Sequence, residues 1–538
     1  MKTRSSNNSY HRGVSTLEIL IAMSILILTL TAVTLTSFGG QSLAIDSRVA
    51  ADALSEAQAM LERAQLTGRK DYQLVNPTTT VKTIGSITYR EVLDVVAASD
   101  HATKKVTANI SWIGEHGRRA TTSLSTLVTN FDHAVGGNTC DSVLSGDWKN
   151  PIITNATVDL LSLIATSSGY NVITSVDAHK GKLYLTVGNT SYKTDPNFFI
   201  FDIAKLKTTP TAALLSKFDT APTKTSGTGL FALHVAEGTT TGSMYAYVAN
   251  EYAPSPSWSA CAQGPACAQL QIIDVSSSTK LTLASTTNYK IPSSGITTPV
   301  TGTGGQAVGN SIFYKDGLVY LGLTKTGSGP EFNIIDVHNP LIPQWIGGYS
   351  VGASVYAISV VGNIAYLAVR DSSKEVIVLN VANPTTPTLL VSYDAPGAAS
   401  FGYGESLMNV GDTLYLGRSY VNNAAEFLLL DASSSSTIKP YSASSPGYDI
   451  GTIASPYSVS GVFVRDYLAF LAGGSAAAGG KFAVLNVSST TNVTSWGTSL
   501  VLPSSSIGSA LDCEGNDFFV SSNDASNNGF LSVITSSP

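Results

Sequence analysis

The chain is poor in charge. Asp, Glu, Lys and Arg make up 13% of its 538 residues, about half the usual share, while Ser, Thr and Gly abound. Such a composition suits a β-rich surface outside the cell better than a cytosolic enzyme. Lys and Arg form no long cluster and the net charge is only −6, so nucleic acid is excluded as a partner. Cysteine is scarce as well. Cys140, Cys261, Cys267 and Cys513 include no C-x-x-C pair and fit no zinc pattern; an even number in an exported chain favours disulfides.

Catalytic motifs are missing too. There is no G-x-S-x-G, no H-E-x-x-H and no Walker loop. GTGGQAVG (302–309) lacks the strand–turn–helix context of a nucleotide loop. His101, His116, His133, His179, His234 and His338 are scattered singly, and DCEGND (512–517) and NDASNNG (523–529) lack EF-hand spacing. The sequence therefore predicts no enzyme, no cofactor and no metal site.

What is present begins at the N-terminus. Residues 1–13, MKTRSSNNSYHRG, carry Lys2, Arg4 and Arg12 and no acid, and Ile19–Phe38 is free of charge. That run is long enough to span a bilayer as a helix, and the basic residues before it place the N-terminus in the cytoplasm and the bulk outside. Glu18, at the head of the run, is out of place in lipid. Gly13, Val14-Ser15-Thr16-Leu17-Glu18 and then an apolar helix resemble the type IV prepilin class, which includes the pseudopilins of type II secretion. The resemblance implies cleavage by a prepilin peptidase between Gly13 and Val14, methylation of the Val14 amine, and pairing of that amine with Glu18 between neighbouring subunits, which relieves both buried charges. Val14 departs from the Phe or Met usual in that family.

Beyond Gly39-Gly40 a helical period resumes, with Ala50, Ala53, Leu54, Ala57, Met60, Leu61 and Ala64 on one face. Strands are predicted at 87–96, 104–113 and 118–131, the last two joined by GEHG (114–117). A long helix over a small antiparallel sheet is the pilin architecture, and AVGGNT (134–139) has the composition of a linker.

From about residue 150 the chain repeats itself. Seven aromatic-cored strands, among them KLYLTV (182–187), LVYLGL (318–323) and TLYLGR (413–418), are each followed by a second, such as FFIFDI (198–203), FNIIDV (332–337) and FLLLDA (427–432). Seven such units at this period indicate a β-propeller. FNIIDVHNPLIPQW and VIVLNVANPTTPTL share N-P-x-x-P after the second strand and resemble LVIVD-type propeller repeats. Asp202, Asp274, Asp336, Asn380, Asp431 and Asn486 recur at one place and are read as turn caps rather than metal ligands. The seventh unit has no room for an outer strand, so residues 148–166 are expected to supply it. A Cys140–Cys513 disulfide then locks the closure, leaving Cys261 and Cys267 to pair within the insertion SPSWSACAQGPACAQ.

The expected fold class is thus an α+β pilin domain, a long N-terminal helix on a small antiparallel sheet, followed by an all-β seven-bladed propeller. The expected domains are a leader (1–13), a pilin-like domain (14–133, with a transmembrane and assembly helix over 14–38, an amphipathic helix over 39–66 and a sheet over 71–131), a linker (134–147) and the propeller (148–538). The function expected is that of a minor type IV pilin-like subunit displaying a propeller for adhesion or partner recognition. It is expected in the bacterial inner membrane as precursor and in a surface filament or pseudopilus when mature. Its partners are then the peptidase, other pilin or pseudopilin subunits, the inner membrane and an unidentified surface or protein ligand. Two alternatives are a type II secretion pseudopilin and a fibre-displayed propeller enzyme; a channel cluster of carboxylates and histidines would favour the enzyme.

Overall fold

A computed structural model describes residues 16–70, 75–97, 103–114, 117–129, 139–140, 144–154, 157–163, 171–188, 196–220, 229–238, 242–250, 269–284, 301–302, 305–306, 308–325, 330–397, 402–443, 446–452, 455–465 and 467–537. They fall in two compact units, Met1–Asn130 and Phe131–Pro538.

The first unit holds a helix, α1 (Thr16–Lys70), and four strands, β1 (Thr78–Ile84), β2 (Ile87–Ala97), β3 (Thr103–Ile113) and β4 (Arg119–Thr129), paired antiparallel in chain order. The helix packs on the sheet through one segment. Val49, Ala53, Ala57, Met60, Leu61 and Ala64 meet Tyr89, Leu93, Val106, Ala108, Ile110, Trp112 and Val128. The register differs slightly from expectation: Val49 lies in the core, whereas Ala50 and Leu54 are exposed. The alternation of Val106, Ala108, Ile110 and Trp112 does bury one face of β3. β1 was not expected, because Thr78–Thr83 are all exposed and no alternation marks them. It is held by its ladder to β2, by Thr80 donating to Glu91 at 2.8 Å and by a 2.6 Å Lys82–Glu56 ion pair.

The expected fold class is corrected here. Strand accounts for 56% of the described residues and helix for 14%, so the protein is mostly β there, built of many small antiparallel sheets; the all-β part of the expectation is compatible with them. Among the described residues, no helix is long and apolar enough to cross a membrane. The transmembrane helix over 14–38, the inner-membrane precursor and the filament location that rested on it are therefore unsupported, and so is a pilin class for this unit. Gly13 and Val14 lie outside the described residues, as does the side chain of Glu18.

The second unit contains seven antiparallel blades. Their innermost strands are Val172–His179, Leu230–Glu237, Gly309–Lys315, Val355–Val361, Gly404–Val410, Ser458–Arg465 and Ile507–Gly515. Each touches the next, and the seventh touches the first, so the sheets close into a ring. The second and third strands of each blade are buried on both faces, as in Leu318–Leu323 and Phe332–Asp336, which is why they read as near-continuous apolar runs. Blade 7 takes its outer strand from the start of the unit. Asp147–Ile153 pairs antiparallel with Gly529–Ser537, and Thr139–Cys140 runs parallel to Glu514–Gly515. Cys140 and Cys513 are disulfide-bonded, with Cα atoms 5.4 Å apart. Trp148 seals the seam, its ring 5.0 Å from Phe470 and 5.3 Å from Phe518. Cys261 and Cys267 lie outside the described residues.

Candidate functional site

The ring has two unlike faces. On one, the innermost strand turns into the second through tight hairpins such as Lys180-Gly181 and Asp316-Gly317, where positive φ is taken by both residues. The same face carries the turns after the third strands. There the side chains of Asp202, Asp274, Asp336, Asn380, Asp431 and Asn486 accept backbone N–H bonds from Lys205, Ser276, His338, Ala382, Ser433 and Ser488 at 2.9–3.1 Å. This hairpin face is built for stability. The opposite face is where the connections between second and third strands begin and end, at Gly188 and Phe198 in blade 1 and at Asn250 and Leu270 in blade 2. The ends of the longest are clasped by Asn250 N–H donating to Gln269 C=O at 2.9 Å. This is the loop face.

Between the faces runs a central channel with a cavity of about 250 Å³. Each innermost strand contributes to its wall: Asp177, His234, Phe313, Ser359, Asn409, Phe463 and Asp512 in ring order. All seven strands carry a register shift near their start, at Ile173/Ser175, Leu230/Ala232, Gly309/Ser311, Val355/Ala357, Gly404/Ser406, Val459/Gly461 and Gly508/Ala510. A bulge repeated in every blade re-aims the wall side chains and increases local twist.

Polar groups on this wall stitch one blade to the next. Asp512 accepts the Ala178 N–H at 2.6 Å, Asp177 the Val235 N–H at 3.0 Å, and Glu514 the Gly181 N–H at 2.7 Å. Nearer the loop face, Ser311, Ser406 and Ser509 donate to Val355, Val459 and Ile173 C=O at 2.8–2.9 Å. Burial, and next the Asp512 carboxylate, push the Asp177 carboxyl well above its ordinary range, while the Val235 N–H acts in the other sense. His179 is lowered to about 4 by burial and Lys180, and both its ring nitrogens are buried without a protein partner among the described residues. His234, lowered to about 4 by burial and His179, packs against Phe313 at 5.7 Å. Both imidazoles are therefore neutral at pH 7.

A carboxylate–histidine cluster thus lies in the channel, one that sequence reading missed. Its strands, VITSVDAH and IGSALDCEG for example, mix Ser, Asp and His into a bulged pattern that no apolar run announces. The carboxylates are engaged by backbone N–H groups, so their first role is to hold blades together. Since Asp177 is raised, protonation favours the folded state, and stability on its account falls as pH rises above the ordinary carboxylate range. Asp177→Asn keeps the acceptor for Val235 and removes the like-charge pair. It is expected to raise urea stability at pH 8 by on the order of 1 kcal/mol, a fraction of a buried ion's desolvation cost, and to change little at pH 4.

Of the other sequence candidates, His338 is exposed with Nδ1 2.8 Å from Asp336, and His101, His116 and His133 lie outside the described residues. Thr301-Gly302 pairs with Gly305-Gln306 in a two-residue ladder. Asp524 caps its own turn, accepting N–H bonds from Ser526 and Asn528 at 2.8 Å. Among the described residues, no group of three or more His, Cys, Asp or Glu is placed to hold a metal ion. The chain matches no protein-family model and no curated protein.

Proposed function

We propose that this protein is a recognition module rather than an enzyme, and that the loop face of its propeller is the contact surface for a partner or a surface ligand. The observation that carries this reading is the asymmetry of the two faces. Tight hairpins and six Asp/Asn caps occupy one, whereas the long connections begin and end on the other. Variable loops on a rigid scaffold are where binding residues concentrate. Replacing residues 254–266 by a Gly-Ser segment of equal length is expected to weaken attachment of the full chain to its target surface at least tenfold. Asn383→Ala, which removes hairpin-face turn bonds to Thr385 and Thr386, is expected to leave attachment unchanged. Equal attachment by all three proteins would overturn the reading.

The Gly13–Glu18 motif adds a second element, resting on sequence resemblance to prepilins: processing before Val14 and pairing of the new amine with Glu18 of a like subunit. Mass spectrometry of the mature N-terminal peptide is expected to find methylated Val14 first. A chain beginning at Met1 removes this element and leaves the loop-face reading intact.

The channel cluster favours an enzyme as the competing reading, with Asp177, His234 and Asp512 around one cavity. Against it stand the backbone bonds that occupy both carboxylates. His234→Gln would abolish turnover of an ester or glycoside under that reading, and leaves attachment unchanged under ours.

A further inference from the structure

The most distinctive group on the loop face lies where blades 4 and 5 meet. Arg370 ends the second strand of blade 4, its N–H donating to Ser354 C=O at 2.9 Å, and its side chain is exposed. The guanidinium carbon sits 5.8 Å from the Tyr356 ring centroid and 5.3 Å from that of Tyr403, within cation–π range of both. Nη1 donates to the Tyr356 hydroxyl at 2.8 Å. Tyr356 occupies the bulge of its innermost strand, and Tyr403 is fixed by its own N–H donating to Ser419 Oγ at 2.9 Å. A long, flexible side chain is thereby held in one orientation, with donors unused by any described residue.

We propose that Arg370, between Tyr356 and Tyr403, binds the carboxylate of an acidic sugar, a uronic acid unit of a polysaccharide; this rests on the loop-face reading above. The planar fork of a guanidinium matches a carboxylate bidentately, and a preorganised fork loses less side-chain entropy on binding. Tyr356 and Tyr403 are only half-buried, which leaves aromatic surface for a pyranose beside the fork. An acidic peptide fits less well: peptide recognition by strand addition needs an open sheet edge, and the strand that leads to Arg370, Ile364–Val369, is paired on both sides.

The test is calorimetric titration of the full chain with glucuronate and with polygalacturonate, against glucose and poly-glutamate. Wild-type protein is expected to bind both uronates and not glucose. Arg370→Met should weaken uronate binding at least tenfold, and Arg370→Lys by a similar factor, because a point charge cannot reproduce the fork. Unchanged thermal unfolding of both variants would confirm that the site, and not the fold, was altered. Absence of uronate binding, or binding that survives Arg370→Met, overturns the proposal, and if the 254–266 replacement still abolishes attachment, the loop-face reading stands without it. Arg370-dependent binding of poly-glutamate as tight as that of polygalacturonate overturns the sugar assignment.

Discussion

Reduction of the Cys140–Cys513 disulfide is expected to lower the thermal midpoint of the second unit by up to about 6–8 °C. The bond closes a sequence separation of 373 residues, and in the chain-entropy model a loop of that size contributes about 5–6 kcal/mol, an upper limit. For a unit of roughly 400 residues, unfolding entropy is near 0.8 kcal/mol/K, which converts that energy to several degrees. The seam it locks is otherwise modest. It consists of Asp147–Ile153 on Gly529–Ser537, a two-residue parallel pair at Thr139–Cys140 and the Trp148 contacts. Cys140→Ser/Cys513→Ser should reproduce the shift without reductant, and reductant should then add nothing. Trp148→Ala leaves a cavity between Phe470 and Phe518, with an expected cost of about 3–5 kcal/mol. If the double serine variant melts with the wild type, the strand pairing alone holds the ring and the closure argument fails.

The same seam shows what a sequence can disclose. Seven pairs of apolar strands were legible because second and third strands are buried on both faces, and continuous burial writes continuous apolar runs, as at Phe427–Asp431. The recurrent Asp and Asn were legible as caps because they recur. The innermost strands were not. One side of each faces the channel, each is bulged, and their burial alternates weakly, as in Leu230–Glu237. Missing them meant missing Asp177, His234 and Asp512, which only closure of the ring brings together. Arg370, Tyr356 and Tyr403 were illegible for the same reason, since they come from two blades. At the N-terminus the apolar run was read as a membrane helix from its length, whereas among the described residues no helix is long and apolar enough to cross a membrane.

A third recurrent feature escaped sequence reading and carries the other large effect. Glu331, Glu375 and Glu426 each precede a third strand, and each is buried. They accept N–H bonds from the chain just beyond the outer strand: Val351 and Gly352, Ala395, and Ile450 and Gly451. Between blades 4 and 5, Glu375 also faces Arg418 at 3.4 Å, both essentially without exposure. Arg418 further donates from Nε to Ala425 C=O at 2.6 Å and from Nη2 to Pro396 C=O at 3.0 Å. Burial raises the Glu375 carboxyl, while the Ala395 N–H and Arg418 act in the opposite sense. Arg418→Met removes one of those restraints and strands two carbonyls, so a loss of about 3–5 kcal/mol is expected at pH 7. The sign with pH follows from the carboxyl. With Arg418 gone its folded-state pKa rises further, the folded state takes up a proton that the unfolded state releases, and the penalty shrinks as pH falls toward the ordinary carboxylate range. Urea titrations of Arg418→Met should therefore show a larger loss at pH 8 than at pH 5, and Arg418→Met/Glu375→Gln should recover part of it at pH 8. A loss independent of pH, unrelieved in the double variant, would assign the effect to the carbonyls of Ala425 and Pro396 rather than to the buried carboxylate.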